Sequence, residues 1–315
     1  MKNAIFILLV LMLVLASCSN NGPVGPSNDK TFLGGTEGLK IEFLESEPPA
    51  EVTDGGTTPF TVTMKLENKG ETEVAKENVY LKLRGIHAPS FGLDSSSDLI
   101  ITSISEDVLA NEIIPDTGGA ITPPPAYVTF PMMTFTDTLS GNEPFPFFVD
   151  VCYLYQTKAT TQLCIKENLL DSTDTDVCAV LGRKKVENSG APVQITEFEE
   201  FTRGIDKVSF TLTLKNLGGG LISKTGVTCN ETPLYDGVVT LTVNSGLTGL
   251  ECVGLDSTTG TAVSGDVKVS TVTNEKKVTC TQNLPTREDK IKIVDLKLDY
   301  DYKDTVSTSV LVKHI

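Results

Sequence analysis

The chain has 315 residues, 39% of them hydrophobic, and 41 Asp and Glu stand against 26 Lys and Arg, for a formal net charge of −15. That length allows more than one domain at ~100–200 residues each, and the apolar content is enough for real cores. Such acidity excludes nucleic acid, whose phosphates demand clustered Lys and Arg, and fits a solvated surface with calcium or salt adaptation as additions.

In chain order, Lys2 precedes an apolar run from Ile5 to Leu15, followed by the small residues Ala16 and Ser17 and then Cys18. A basic residue, an apolar stretch short of the ~20 residues a span needs, and a small-residue end make a secretory signal. The ending Leu15-Ala16-Ser17-Cys18 resembles the lipobox of bacterial and archaeal lipoproteins. The resemblance implies cleavage before Cys18, a lipid on that residue, and a mature protein anchored in the membrane at the cell surface. Residues 1–17 are then the signal peptide. Residues 18–36, rich in Gly, Pro, Ser and Asn and without periodicity, are expected to be a flexible tether.

From residue 37 period-two alternation takes over. Phe60, Val62, Met64 and Leu66 alternate with Thr61, Thr63, Lys65 and Glu67, and Val79-Leu81-Leu83 repeats the pattern. Turns fall at Asp54-Gly55-Gly56, Asn68-Lys69-Gly70 and Ser140-Gly141-Asn142. Only Glu106 to Ile113 carries any helical spacing. Val149 to Tyr155 and Thr160 to Ile165 are expected to form a hairpin. Later runs are Val208-Phe210-Leu212-Leu214, Val238 to Val243, Val267 to Val269 and Val278 to Thr281. In Lys290 to Tyr302 the apolar positions change parity near Val294, which predicts a bulge or a bend between sheets. Val306 to Val312 make a last strand, which an edge position would expose to a neighbouring sheet. The fold class is therefore all-β, with two tandem immunoglobulin-like sandwiches over 37–168 and 191–315 and a linker over 169–190.

The halves also look alike. Phe60-Thr61-Val62-Thr63-Met64-Lys65 matches Phe210-Thr211-Leu212-Thr213-Leu214-Lys215, and an Asn-x-Gly turn follows each, at Asn68 and at Asn216. A repeat of about 150 residues is a domain duplication rather than a solenoid. This strand and turn is similar to the CARDB-like and related immunoglobulin-like domains of archaeal and bacterial surface proteins, which implies adhesion or spacer modules. The long Ile86 to Pro125 segment departs from a minimal domain of that kind.

With Cys18 lipidated, six cysteines remain: Cys152, Cys164, Cys178, Cys229, Cys252 and Cys280. An even set outside the cytoplasm suggests disulfides, and six cysteines allow 15 connectivities. The expected hairpin would pair Cys152 with Cys164, two strand-like runs would pair Cys252 with Cys280, and Cys178 and Cys229 remain by elimination. No C-x-x-C occurs and His87 and His314 are the only histidines, which disfavours a metal on these thiols.

The remaining candidates are few. Asp171, Asp174 and Asp176 cluster carboxylates as calcium ligands prefer, without the Gly and Glu of an EF-hand. Asp299, Asp301 and Asp304 alternate with Tyr300 and Tyr302, as on the solvent face of a strand. Gly218-Gly219-Gly220 lacks the Lys and helix of a phosphate loop and is expected to be a turn. Asn230-Glu231-Thr232 has the form of a glycosylation sequon. The Pro-rich segment 122–133, with Tyr127, Phe130, Met132 and Met133, is either a contact surface or the end of an insertion entering the core. The expected function is a non-enzymatic surface lipoprotein that binds or spaces at the envelope, without a cofactor unless calcium. Its partners would be the membrane through its lipid and an envelope protein or glycan. Two alternatives stand beside it: self-association through edge strands, and a glycan hydrolase built on two of the many carboxylates.

Overall fold

The computed structural model describes residues 30–315 apart from 116, 172–176, 227–236, 258–259, 285 and 287. Thr31–Ile315 form one compact unit. The fold is all-β. In chain order the strands are β1 (Leu39–Phe43), β2 (Glu51–Thr53), β3 (Thr63–Asn68), β4 (Val79–Arg84), β5 (Ile100–Ile101), β6 (Glu112–Ile113), β7 (Ala120–Ile121), β8 (Ala126–Thr129), β9 (Glu143–Ile165) and β10 (Gly182–Lys184). They continue with β11 (Glu187–Asn188), β12 (Val193–Thr202), β13 (Lys207–Asn216), β14 (Leu221–Ser223), β15 (Val238–Asn244), β16 (Leu250–Cys252), β17 (Asp256–Ser257), β18 (Ala262–Lys268), β19 (Glu275–Asn283) and β20 (Lys290–Lys313). Helical structure among the described residues is confined to short 3-10 turns at Lys76–Asn78, Ala88–Phe91 and Ser96–Leu99. The segment with helical spacing instead bridges Val108 to Val74 and ends in β6.

Three sheets carry the structure. One runs β1-β3-β8, a second β10-β12-β13-β19-β16, and a ten-stranded sheet runs β17-β18-β15-β20-β9-β4-β5, with β2 and β14 also on β20 and β11 on β9. Alternation decides which faces meet. Val62, Met64 and Leu66 are buried from the first sheet, and Val208, Phe210, Leu212 and Leu214 from the second. Both sets face the large sheet: the Phe60 and Phe147 rings lie 6.2 Å apart, and the Val193 N–H donates to the Tyr300 hydroxyl at 3.4 Å.

The spine is the antiparallel pair β9 and β20. Their register runs unbroken from Lys290↔Ile165 to Val312↔Glu143. This corrects two expectations. Val149 to Ile165 is one strand and not a hairpin, because Gln156-Thr157-Lys158-Ala159 contains no turn-forming residue and the alternation continues through it. No bulge occurs at Val294: the buried apolar residues of β20, Val294, Leu296, Leu298, Tyr300, Tyr302, Val310 and Val312, all hold even positions, while Ile291 and Ile293 stay on the outer face, 45% and 49% exposed. Along Val306 to Val312 β9 pairs on one side, while on the other β15 and β14 end at Lys303 and β2 joins only at Leu311–Lys313.

The long strands also bind the two halves of the chain together. β4 pairs with β9 over Phe148–Tyr153, and β15 pairs with β20 over Asp295–Asp299, so each half builds its layer on one stretch of both spine strands. Residues 169–190 are accordingly more than a linker. β10 extends the second sheet beside β12, and β11 pairs with β9 at Thr160 and Ala159.

Candidate functional site

At the centre of the spine four tyrosines meet on the core face. Tyr153 faces Tyr302 and Tyr155 faces Tyr300 in register, with ring centroids 5.9 and 6.4 Å apart, and all four are buried. Their hydroxyls reach the opposing layers in two matching ways. Tyr155 donates to Asn68 Oδ1 at 3.1 Å and Tyr302 to Asn216 Oδ1 at 3.2 Å. Each Asn closes its own turn, from Nδ2 to the Thr72 carbonyl at 2.7 Å or to the Gly220 carbonyl at 2.9 Å. Tyr153 accepts the N–H of Leu39, the register partner of Asn68; Tyr300 accepts that of Val193, the register partner of Asn216.

Tyr153 thus corresponds to Tyr300, and Tyr155 to Tyr302. Exchanging them swaps the two register pairs, as a local two-fold through Leu154 and Asp301 would. The duplicated Asn-x-Gly turns owe their glycines to this contact: a Cβ on Gly70 would overlap the Tyr155 hydroxyl, and one on Gly218 the Tyr302 hydroxyl. The match through Asn68 and Asn216 places Val62 opposite Phe210, two residues from the alignment of Phe60 with Phe210. Period two hides such a slip, because it leaves every side chain on the same face.

Two disulfides are described. Cys252–Cys280 joins residues directly opposite on β16 and β19, as expected. Cys164 pairs with Cys178, which corrects its expected pairing with Cys152 and that of Cys178 with Cys229. With no hairpin, Cys152 and Cys164 lie far apart along one strand. Cys152 is also disulfide-bonded, while Cys18 and Cys229 lie outside the described residues. The disulfides mark an oxidising, extracytoplasmic setting. Among the described residues no helix is long and apolar enough to cross a membrane.

Asp171 is exposed, and Asp174 and Asp176 lie outside the described residues, as does the sequon at Asn230. No group of three or more His, Cys, Asp or Glu is placed to hold a metal among the described residues. Asp299 and Asp301 lie on the outer face of β20 and Asp304 on the core face. Asp299 accepts from Gln156 at 2.6 Å and pairs with Lys297 at 2.9 Å. Burial pushes Asp301 up to about 6 against the Gly226 N–H it accepts. It likewise pushes Asp304 up to about 6 against the Tyr153 hydroxyl. Glu200 on β12, also buried, is pushed up to about 7 by burial, opposed by the Cys164 N–H and by Lys184 at 3.4 Å. Asp150 is desolvated too, yet Arg84, Lys303 and Thr305 at 2.7–2.8 Å hold it below the usual range.

His87 precedes a 3-10 turn and meets Ser90 Oγ at 3.2 Å. His314 Nδ1 lies 2.8 Å from buried Asp54, which also accepts the Leu139 and Ile315 N–H groups and so fastens the C-terminus to the end of β2. Gly218-Gly219-Gly220 wraps the Tyr302 hydroxyl, which accepts the Gly220 N–H at 2.8 Å.

The Pro-rich segment divides between core and surface. Phe130 and Met133 enter the core, whereas Tyr127 and Met132 stay exposed. Tyr127 to Pro131 and Ile100 to Ser105 line a shallow groove between edge strands β8 and β5. The corresponding strand of the second half, β19, is covered by β16. Next to β8 stands Pro131, which offers no N–H to an incoming strand.

A second groove lies where the described chain begins. Thr31 lines it together with Thr160, Gln162, Arg183, Lys185 and Ile293. Around it Lys185 pairs with Glu187 at 2.6 Å and Arg183 with Glu197 at 3.2 Å, while Lys158 stands exposed on the outer face of β9, opposite Lys297. Sequence reasoning missed this face, because its residues come from four separate segments. Its one local signal was Arg183-Lys184-Lys185. No family model matches the chain, and no curated protein matches it.

Proposed function

We propose that the protein is a non-enzymatic surface lipoprotein, anchored through Cys18, whose body is a stiff spacer that presents its first half away from the membrane. The spine carries this reading. Thr31 adjoins Thr160, and the seventeen residues of β9 from there back to Glu143 span about 56 Å at ~3.3 Å per residue. Both spine strands are paired throughout that stretch, so the far end cannot fold back. The leader and the lipobox resemblance supply the anchor, and the tandem likeness to adhesion or spacer modules agrees with the shape.

Detergent phase partitioning tests the anchor. The native protein should enter the detergent phase and show an N-terminal peptide bearing acyl mass on Cys18. Cys18→Ala should move it to the aqueous phase. An intact, unmodified leader in the native protein, or partitioning unchanged by Cys18→Ala, would overturn the reading.

A further inference from the structure

We propose that the face around the chain exit, made by Lys158, Arg183, Lys185, Ile291 and Ile293, lies against the anionic headgroups of the lipid bilayer. The proposal rests on anchoring at Cys18, which fixes which end meets the membrane. Twelve residues lead from Cys18 to Lys30. Even fully extended, a chain of that length spans at most about 43 Å. The groove holding Thr31 therefore stays within that distance of the bilayer, a bound that does not hold for the far end of the spine.

Charge points the same way. In a chain of net charge −15, Arg183-Lys184-Lys185 is the only run of three basic residues, and it lies beside the exit. Lys158, on the same side, has no ion-pair partner among the described residues. The acids facing these groups are Glu187 on Lys185, Glu197 and the register partner Glu199 on Arg183, and Asp295 and Asp299 on either side of Lys297, so the face is near neutral on a strongly acidic body. The Arg183 and Lys185 side chains are 72% and 82% exposed, so water screens their pairs and a phosphate can take the acid's place. The apolar component is Ile291 and Ile293, two residues apart on the outer face and each nearly half exposed. Cations flanking a small apolar ridge form the arrangement that rests in a headgroup layer. The whole acidic body would not seek such a surface from solution. The tether supplies a millimolar effective concentration, at which a weak contact is occupied.

The test supplies the anchor chemically. The mature chain from residue 18 is coupled through the Cys18 thiol to maleimide-lipid vesicles of phosphatidylcholine, with or without one-third phosphatidylglycerol, and lysine acetylation is mapped. On the anionic vesicles labelling of Lys158 and Lys185 should fall about threefold, with Lys313 at the far end unchanged. Raised salt should reverse the protection by shortening the screening length. The double variant Arg183→Glu/Lys185→Glu should return Lys158 to its level on neutral vesicles. Equal labelling on both vesicles, or equal loss at Lys313, would overturn the proposal. Because the lipid is supplied by coupling, that failure leaves native anchoring to be decided by the N-terminal mass alone.

Discussion

Tyr302 shows what one hydroxyl does in this fold. It accepts the Gly220 N–H at a half-buried site and donates to buried Asn216. Tyr302→Phe keeps the ring but orphans both partners, and an unsatisfied buried group costs ~1–3 kcal/mol. Denaturant melts should show a loss of that size, and Tyr155→Phe should match it, since Asn68 stands to Tyr155 as Asn216 does to Tyr302. Unequal losses would mean that the geometric correspondence is not an energetic one. A second prediction at this scale concerns protons. Glu200, Asp301 and Asp304 are raised to about 7, 6 and 6, all by burial, so folding favours their protonated forms. Their contribution is complete below the unfolded carboxylate range, near pH 4, and is lost as pH rises through 6 to 7. Asp150, held low, acts oppositely, and its contribution is lost only on further acidification. The melting temperature should therefore be higher at pH 5 than at pH 7.5. Glu200→Gln should shrink that difference by removing pH-dependent stability on the order of 3 kcal/mol at most. A flat pH profile would contradict the burial of these carboxyls.

At the scale of elements, β16 is three residues held to β19 by Cys252–Cys280. Too short to persist on backbone pairing alone, it depends on that bond. Cys252→Ser should cost ~2–5 kcal/mol and lower the melting temperature sharply, with unchanged melting as the contrary result. Strands such as β3, β13 and β15 were legible because apolar and polar residues alternate between recognisable turns. The all-β class followed from them. The spine was not legible as such. Its two strands pair across more than a hundred residues, and the runs Val149 to Tyr155 and Thr160 to Ile165 suggested a hairpin that the absence of any Gly, Pro or Asn between them argues against. Ile291 and Ile293 suggested a bulge because apolar residues were assumed to lie inward. The Asn-x-Gly turns were visible as a repeat, yet their reason was a tyrosine on a distant strand. The exit face and the Cys164–Cys178 bond depend on contacts that no local pattern encodes.

For the whole molecule, the local two-fold through Leu154 and Asp301 has a consequence for assembly. An interface in which each side offers the same residues is that of an isologous dimer. Each half of this chain occupies the place of one protomer, and β9 and β20 are the elements they exchange. Residues 37–168 expressed alone would carry β9 without its partner, leaving Tyr153 and Tyr155 uncovered. Light scattering should find such a fragment as a homodimer paired β9 to β9 or as aggregate, never as a stable monomer. The covalent join between the halves thus makes unimolecular, and independent of concentration, a union that separate copies could reach only by meeting.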